Sequence, residues 1–365
     1  MNMDKNQQVF FELLRAGLWE KDVELRGYGT TDYDEIMRMA EEQSVVGLVT
    51  AGLEHVIDVT IPKEILLQFI GSTLLIEQRN KTMNEFVAGL IEKLREENVY
   101  SILVKGQGIA QCYECPLWRA SGDVDLLLNS ENYEKAKKVL VPLAMNVGSE
   151  YKSLKHLDMT MPEGFVVELH GTLHSRLSKR VDCVIDKVQH DVFCDGSVRS
   201  WQNGNTQVFL PSPGNDVIFV FTHILHHFYI EGVGLRQICD WCRLLWTYKD
   251  SLNRGFLESR IRKAGLLSEW KAFAALAVTY LGFPKDSMPL YSDDGKWKKK
   301  ADRIMAVVLE SGNFGHNRYV AEGKVSAVWQ KTRDFARHTW IFPWDSIRFF
   351  FHFVGNGIGL AFANK

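Results

Sequence analysis

Residues 123–128 read Asp-Val-Asp-Leu-Leu-Leu, and this run limits the fold more than any other stretch of the chain. Successive side chains of a strand point to opposite faces, so Asp123 and Asp125 share one face while Val124 and Leu126 share the other. The two carboxylates then stand about 6.5–7 Å apart along the strand. The apolar face belongs in a core. On the polar face, two like charges side by side repel each other and cost stability unless something compensates them. A divalent cation removes that cost.

A second strand repeats the pattern. Phe165-Val166-Val167-Glu168-Leu169-His170 carries one carboxylate between apolar neighbours. A lone glutamate inside an apolar strand is rarely buried without a partner. If this strand neighbours the aspartate strand, Asp123, Asp125 and Glu168 converge. Three hard oxygen donors suit Mg²⁺ or Mn²⁺ better than Zn²⁺. Three carboxylates holding two metals form the usual clamp for in-line phosphoryl or nucleotidyl transfer. An Asp-x-Asp alone is common, so the neighbouring residues matter. Gly122 lets a backbone or phosphate approach closely. Upstream, Lys105-Gly106-Gln107-Gly108 stands at a strand-to-helix junction, which offers backbone N–H groups and a cation to a phosphate.

The surrounding chain sets the frame. Residues 1–98 read as helices: Val9, Phe10, Leu13, Leu14 and Leu18 fall at helical spacing. Further helices are expected over Tyr33–Gln43, behind a Thr30-Thr31-Asp32 cap, over Gly47–Val56, and over Leu66–Glu97 after Pro62. Tyr100–Val104 is a short apolar run that reads as a buried strand. Ile109–Tyr113 begins a helix, Tyr133–Leu143 is a helix, and Tyr151–Met161 is weakly strand-like. Residues 175–205 are polar and irregular, and Val208–Leu210 is a short strand before Pro211 and Pro213. Helices return over Asp216–Tyr229, Gly234–Tyr248, Leu252–Ala264 and Ser268–Leu281. Pro284–Lys300 reads as a charged loop. The tail after Ala301 reads as helical, interrupted around Gly312–Gly323. The expected fold class is α+β: a small mixed sheet over residues 99–211 with its own helices, between helical regions at 1–98 and 212–365.

At these residues the chain resembles a known family. Leu103-Val104-Lys105-Gly106, then Tyr113, then Arg119-Ala120-Ser121-Gly122-Asp123-Val124-Asp125-Leu126-Leu127 are similar to the uncharacterised nucleotidyltransferase family of the DNA polymerase β-like superfamily. That family pairs an L-K-G element with R-x-x-G-D-[IV]-D. Val167-Glu168-Leu169-His170 resembles its following strand, and His223, His227 and Leu235–Leu245 resemble its later helical element. The likeness runs from about residue 75 to 250. It implies the minimal nucleotidyltransferase sheet and transfer of a nucleoside monophosphate from an NTP to an acceptor, with Mg²⁺. Asp123 and Asp125 would be metal ligands, and Glu168 the third carboxylate or base. The wider superfamily has Gly-Ser or Gly-Gly where this chain has Lys105-Gly106-Gln107-Gly108, so Lys105, Gly106 and Gly108 fit the triphosphate contact less closely than the carboxylates fit the metal.

Each remaining candidate has two readings. Lys105 binds phosphate or is a solvated lysine ending a strand. Arg119 binds triphosphate or pairs with Asp123, since its planar fork suits bidentate phosphate binding. His170 orients Glu168, touches the acceptor, or is a satisfied core histidine. His223, His226 and His227, at helical spacing, pack or line an acceptor cleft. Arg236 and Asp240 are expected to pair along one helix. Cys112/Cys115 and Cys239/Cys242 form two C-x-x-C pairs, too far apart for a usual zinc ribbon and better read as buried thiols. Lys296, Lys298, Lys299 and Lys300 read as a solvated run, and Trp340, Phe342, Trp344 and Phe349–Phe351 as core.

The 365 residues carry a net charge of −2, so no global basic field draws in long nucleic acid. The expected partners are an NTP donor and a small-molecule or protein acceptor. Met1–Phe10 is polar and lacks a signal-like apolar core, and Ile347–Phe362 is short for a bilayer span. With six cysteines in a chain this long, a reducing cytoplasm is expected, without membrane attachment. Two other functions stand beside the leading one: an inactive binding module that keeps the fold, and a two-metal phosphohydrolase.

Overall fold

The computed structural model describes residues 3–152, 154–230, 232–313, 335 and 337–349. It opens with helices α1 (Lys5–Trp19), α2 (Tyr33–Glu42), α3 (Val46–Glu54) and α4 (Lys63–Glu96). Local chemistry starts them. Asp4 caps α1 by accepting from the Gln7 N–H at 2.8 Å, and Asp32 caps α2 through Glu35 N–H. Pro62 precedes α4. Helices α1 and α3 cross very closely: a Cβ on Gly17 would lie 1.9 Å from the Leu48 carbonyl oxygen, and one on Gly52 would lie 2.0 Å from that of Leu13.

The sheet follows. Its strands are β1 (Ile102–Val104), β2 (Asp123–Leu127), β3 (Asn146–Val147), β4 (His156–Thr160) and β5 (Val166–His170), in the order β1-β2-β5-β4-β3. Only the β2–β5 pair is parallel; β1–β2, β5–β4 and β4–β3 are antiparallel. Between the strands lie the short α5 (Gly106–Ala110) and α6 (Ser130–Leu140), the latter capped by Asn129. After β5 come α7 (Lys179–Phe193) and a hairpin, β6 (Val198–Asn203) with β7 (Thr206–Pro211). Then follow α8 (Pro213–Ile230), α9 (Leu235–Thr247), α10 (Arg254–Ala264), α11 (Leu267–Tyr280) and α12 (Gly295–Ser311), and, among the described residues, a further helical stretch at 343–349.

Two apolar cores hold this together. One face of the sheet packs Leu103, Val124, Leu126, Leu157, Val167 and Leu169 against Met83, Val87, Leu90, Ile91 and Leu94 of α4 and Tyr133, Ala136 and Leu140 of α6. The other core joins the N-terminal helices to the C-terminal ones. Trp19 and Phe283 meet edge to face at 5.5 Å, and Gln43 donates its side-chain amide to the Val308 carbonyl at 3.2 Å. The helices of the first 98 residues and the described helices after residue 212 therefore pack into one interior. Each fully buried Leu, Val or Phe adds roughly 1.5–3 kcal/mol of burial.

Several expectations need correction. Residues 175–205 are not irregular. Ser178 caps α7 through Val181 N–H, and Val181, Val184, Ile185, Val188 and Val192 form its buried stripe. The interspersed Asp, Lys and Gln occupy the outer face and mask that stripe in the sequence. β6 was also missed, because its residues are half exposed. The charged loop after Pro284 is shorter than expected: Asp294 starts α12, so the lysine run lies on its first turns. The helix expected from Ile109 begins at Gly106 instead. Phe342 and Phe349 are buried, whereas Trp340 and Trp344 are 70% and 83% exposed. Phe350, Phe351 and the rest of the expected terminal segment lie outside the described residues, as does the expected break from residue 314 on. No helix among the described residues is long and apolar enough to cross a membrane.

Candidate active site

The strand register assembles the site. Asp125 lies directly beside Glu168 in the parallel β2–β5 pair, and Asp123 stands two residues away on the same face. Donor oxygens of Asp123, Asp125 and Glu168 lie within 4.8 Å of one another. The convergence expected from the two strand motifs is thus present. The alternate residues, Val124, Leu126, Val167 and Leu169, are buried on the opposite face and fix the register, because a one-residue slip would turn all three carboxylates into the apolar core.

The electrostatics are those of a crowded anionic cluster. Asp125 is 1% exposed; it accepts from Lys105 Nζ at 2.7 Å and sits 2.8 Å from His170 Nε2. The Asp125 charge, and then burial, push Asp123 above the ordinary aspartate value. Burial also pushes Glu168 upward, but hydrogen bonds from His156 and His170 and the charge of Lys105 outweigh it and hold that carboxyl below its usual range. Lys105 and His170, despite burial, are held above their ordinary values by the carboxylates. Lys105 has φ 59°, in the left-handed region, and turns the chain from β1 into α5 so that its amine reaches Asp125.

These groups form one wall of a cavity of about 450 Å³. The wall opposite comes from the segment after β5 and from α8 and α9, and includes Arg176, His223, His226, Arg236 and Asp240. Burial, then the nearby Lys105 and His227, lower His223 well below the ordinary imidazole value, and its Nε2 lies 3.0 Å from that of His227. Gly122 lines the cavity with open space where a Cβ would project, and Gly106 lines it beside the Asp123 carbonyl.

Two assignments change. Arg119 does not pair with Asp123. Its guanidinium forms a bidentate, buried pair with Asp240 of α9, with both contacts at 2.7 Å, and Tyr113 Oη donates to the same carboxylate at 2.8 Å. With its fork occupied, Arg119 holds the loop before Asp123 in place. Arg236 feels the Asp240 charge and donates to the Ala120 carbonyl at 2.9 Å, so Asp240 answers to two arginines rather than to its own helix alone. Gly108 is buried and is not among the residues lining the cavity; a Cβ there would lie 2.6 Å from Leu210 Cδ2 on β7, so that leucine tip would have to shift to admit one.

Sequence reasoning missed His156, Arg176 and Asn80. His156 sits on β4 directly opposite His170; the alternation His156-Leu157-Asp158-Met159-Thr160 was the available signal. Asn80 of α4 donates to the Leu117 and Arg119 carbonyls at 2.8 and 2.7 Å, and nothing local marks it. The cysteines are free. Cys112, Cys239 and Cys242 are buried and Cys115 is exposed, and burial pushes the Cys112 thiol up to about 11. Cysteine takes no part in the potential metal-holding clusters among the described residues.

No curated protein matches the chain. Among solved structures, it is similar to an antigenic nucleotidyltransferase-like protein from Paracoccidioides brasiliensis, at 16% identity and a TM-score of 0.31, over 51% of this chain and 90% of that one. The family described as uncharacterised nucleotidyltransferase matches residues 29–282, which take in α4, the whole five-stranded sheet and the helices that close the cavity. The chain therefore belongs to this nucleotidyltransferase family.

Proposed function

We propose that the chain is a metal-dependent nucleotidyltransferase that moves a nucleoside monophosphate from an NTP to an acceptor hydroxyl or phosphate and releases pyrophosphate. The observation that carries this reading is the meeting of Asp123, Asp125 and Glu168 within 4.8 Å on the floor of a cavity. The donor set fits Mg²⁺ or Mn²⁺: all three ligands are carboxylates, and Asp123 and Glu168 are open to the cavity. Such ions, when bound, neutralise the triphosphate and stabilise charge that develops on the leaving pyrophosphate.

The protein's own residues supply the rest. Lys105, which lines the cavity with its amine beside Asp125, would offer a cation to the phosphates. Gly106 and Gly122 leave room for the triphosphate against the backbone. On the far wall, neutral His223 faces the acceptor and can accept a hydrogen bond from its hydroxyl. The near-neutral net charge favours a small-molecule or protein acceptor over long nucleic acid.

Calorimetry with Mg²⁺ or Mn²⁺ and each non-hydrolysable NTP tests the reading. Metal-dependent binding of an NTP by wild type, lost in Asp123→Asn/Asp125→Asn, is expected. Absence of binding by a folded wild-type chain points instead to an inactive module; in a separate incubation with hydrolysable NTPs, release of phosphate rather than pyrophosphate points to a phosphohydrolase.

A further inference from the structure

The open face of the sheet carries a second donor cluster. His156 on β4 and His170 on β5 are directly paired in register, and their rings lie 4.8 Å apart. Both present Nε2 to the same oxygen, Glu168 Oε2, and both distances are 3.3 Å. These are hydrogen bonds at the long end of the N–H···O range, whose usual length is about 2.9–3.0 Å. Their length also matches the spacing between neighbouring donors around one ion: with metal–ligand bonds of about 2.0–2.1 Å, tetrahedral donors stand about 3.4 Å apart. The three donor atoms lie within 4.8 Å of one another, and all three residues line the cavity.

We propose that His156, Glu168 and His170 form a second divalent-cation position, which shares Glu168 with the carboxylate position and takes a borderline transition ion such as Fe²⁺, Co²⁺ or Zn²⁺ rather than Mg²⁺. Two imidazoles and one carboxylate are the donors such ions prefer, whereas Mg²⁺ prefers oxygen. Three protein ligands on one side leave the remaining coordination positions facing the cavity. Binding needs the Nε2 lone pair of both rings, with the ring protons on Nδ1. For His170 this replaces its contact with Asp125 Oδ1 at 2.8 Å, an oxygen that also faces the Lys105 amine and the carboxylate position. The inference goes beyond nucleotidyl transfer, since this donor set is present whatever the chain transfers.

Co²⁺ added to the full-length chain in a large excess of Mg²⁺ is the probe, read by visible absorption and by proton NMR of shifted imidazole N–H resonances. Wild type is expected to bind Co²⁺ with ligand-field bands and shifted imidazole signals. His156→Ala, at a half-exposed position, is expected to stay folded, lose one imidazole signal and weaken Co²⁺ binding about tenfold or more. Asp123→Asn, outside this triad, is expected to keep both imidazole signals while losing Mg²⁺-dependent NTP binding, which separates the two positions. The proposal is overturned if folded wild type shows no imidazole signals with Co²⁺, or if they persist unchanged in both His156→Ala and His170→Ala.

Discussion

At the scale of single residues, the site follows from a clash of charges that strand periodicity enforces. Asp123 and Asp125 share a face because side chains alternate, and Glu168 joins them because β2 and β5 run parallel in register. Asp125→Asn is the simplest test. The variant is nearly isosteric, and it removes the charge that pairs with Lys105 and, on the proposed function, would hold a metal. It should reduce nucleotidyl transfer at least ~100-fold, beyond what losing an outer-shell contact costs, while circular dichroism stays native. Retained full activity would show that the site is elsewhere. The carboxylate strands were readable from sequence because their signal is local. His156 was not, since its importance depends on which residue lies across the ladder.

At the scale of elements, the decisive contacts join segments far apart in the chain. Arg119, in the loop before β2, and Asp240, on α9, form a buried bidentate pair. Removing one partner strands the other charge in the interior. Asp240→Ala should therefore destabilise the fold by about 3–5 kcal/mol, and the Arg119→Met/Asp240→Leu double variant by much less. Denaturant melts of the three proteins decide it: equal losses in single and double variants would show that the pair does not act as a unit. The α1–α3 crossing gives a second test. Gly52→Ala drives a methyl into the Leu13 carbonyl, and such overpacking costs about 1–3 kcal/mol; an unchanged melting temperature would mean that the helices are not this close. The helices themselves were largely legible, because caps and apolar stripes are local. α7 was not, since its polar outer face dilutes its valine stripe.

At the scale of the whole molecule, one interior unites the two ends of the chain and buries polar groups with it. Glu269 on α11 is fully buried; burial first, and the Asp345 charge second, raise its carboxyl well above the usual range. A carboxyl raised in the folded state is neutral there while it ionises in the unfolded chain. Its contribution is intact below the ordinary glutamate value of about 4.3 and is lost as pH rises toward the folded value. Glu269→Gln, neutral at every pH, should therefore gain stability relative to wild type as pH climbs from 4 to 8. Thermal melts across that range check the sign, and a gap that does not grow would refute it.

The sequence alone determined the α+β class, the carboxylate strands, most helices and the family. These follow from local periodicity, capping chemistry and short motifs, which neighbouring residues express without help. Only the tertiary structure decided that Arg119 serves Asp240, that Gly108 packs on Leu210, that His156 meets Glu168, and that α1–α3 share a core with α8–α12. Those facts depend on side chains brought together across tens to hundreds of residues, where burial and charge pairing, rather than spacing along the chain, select the partner.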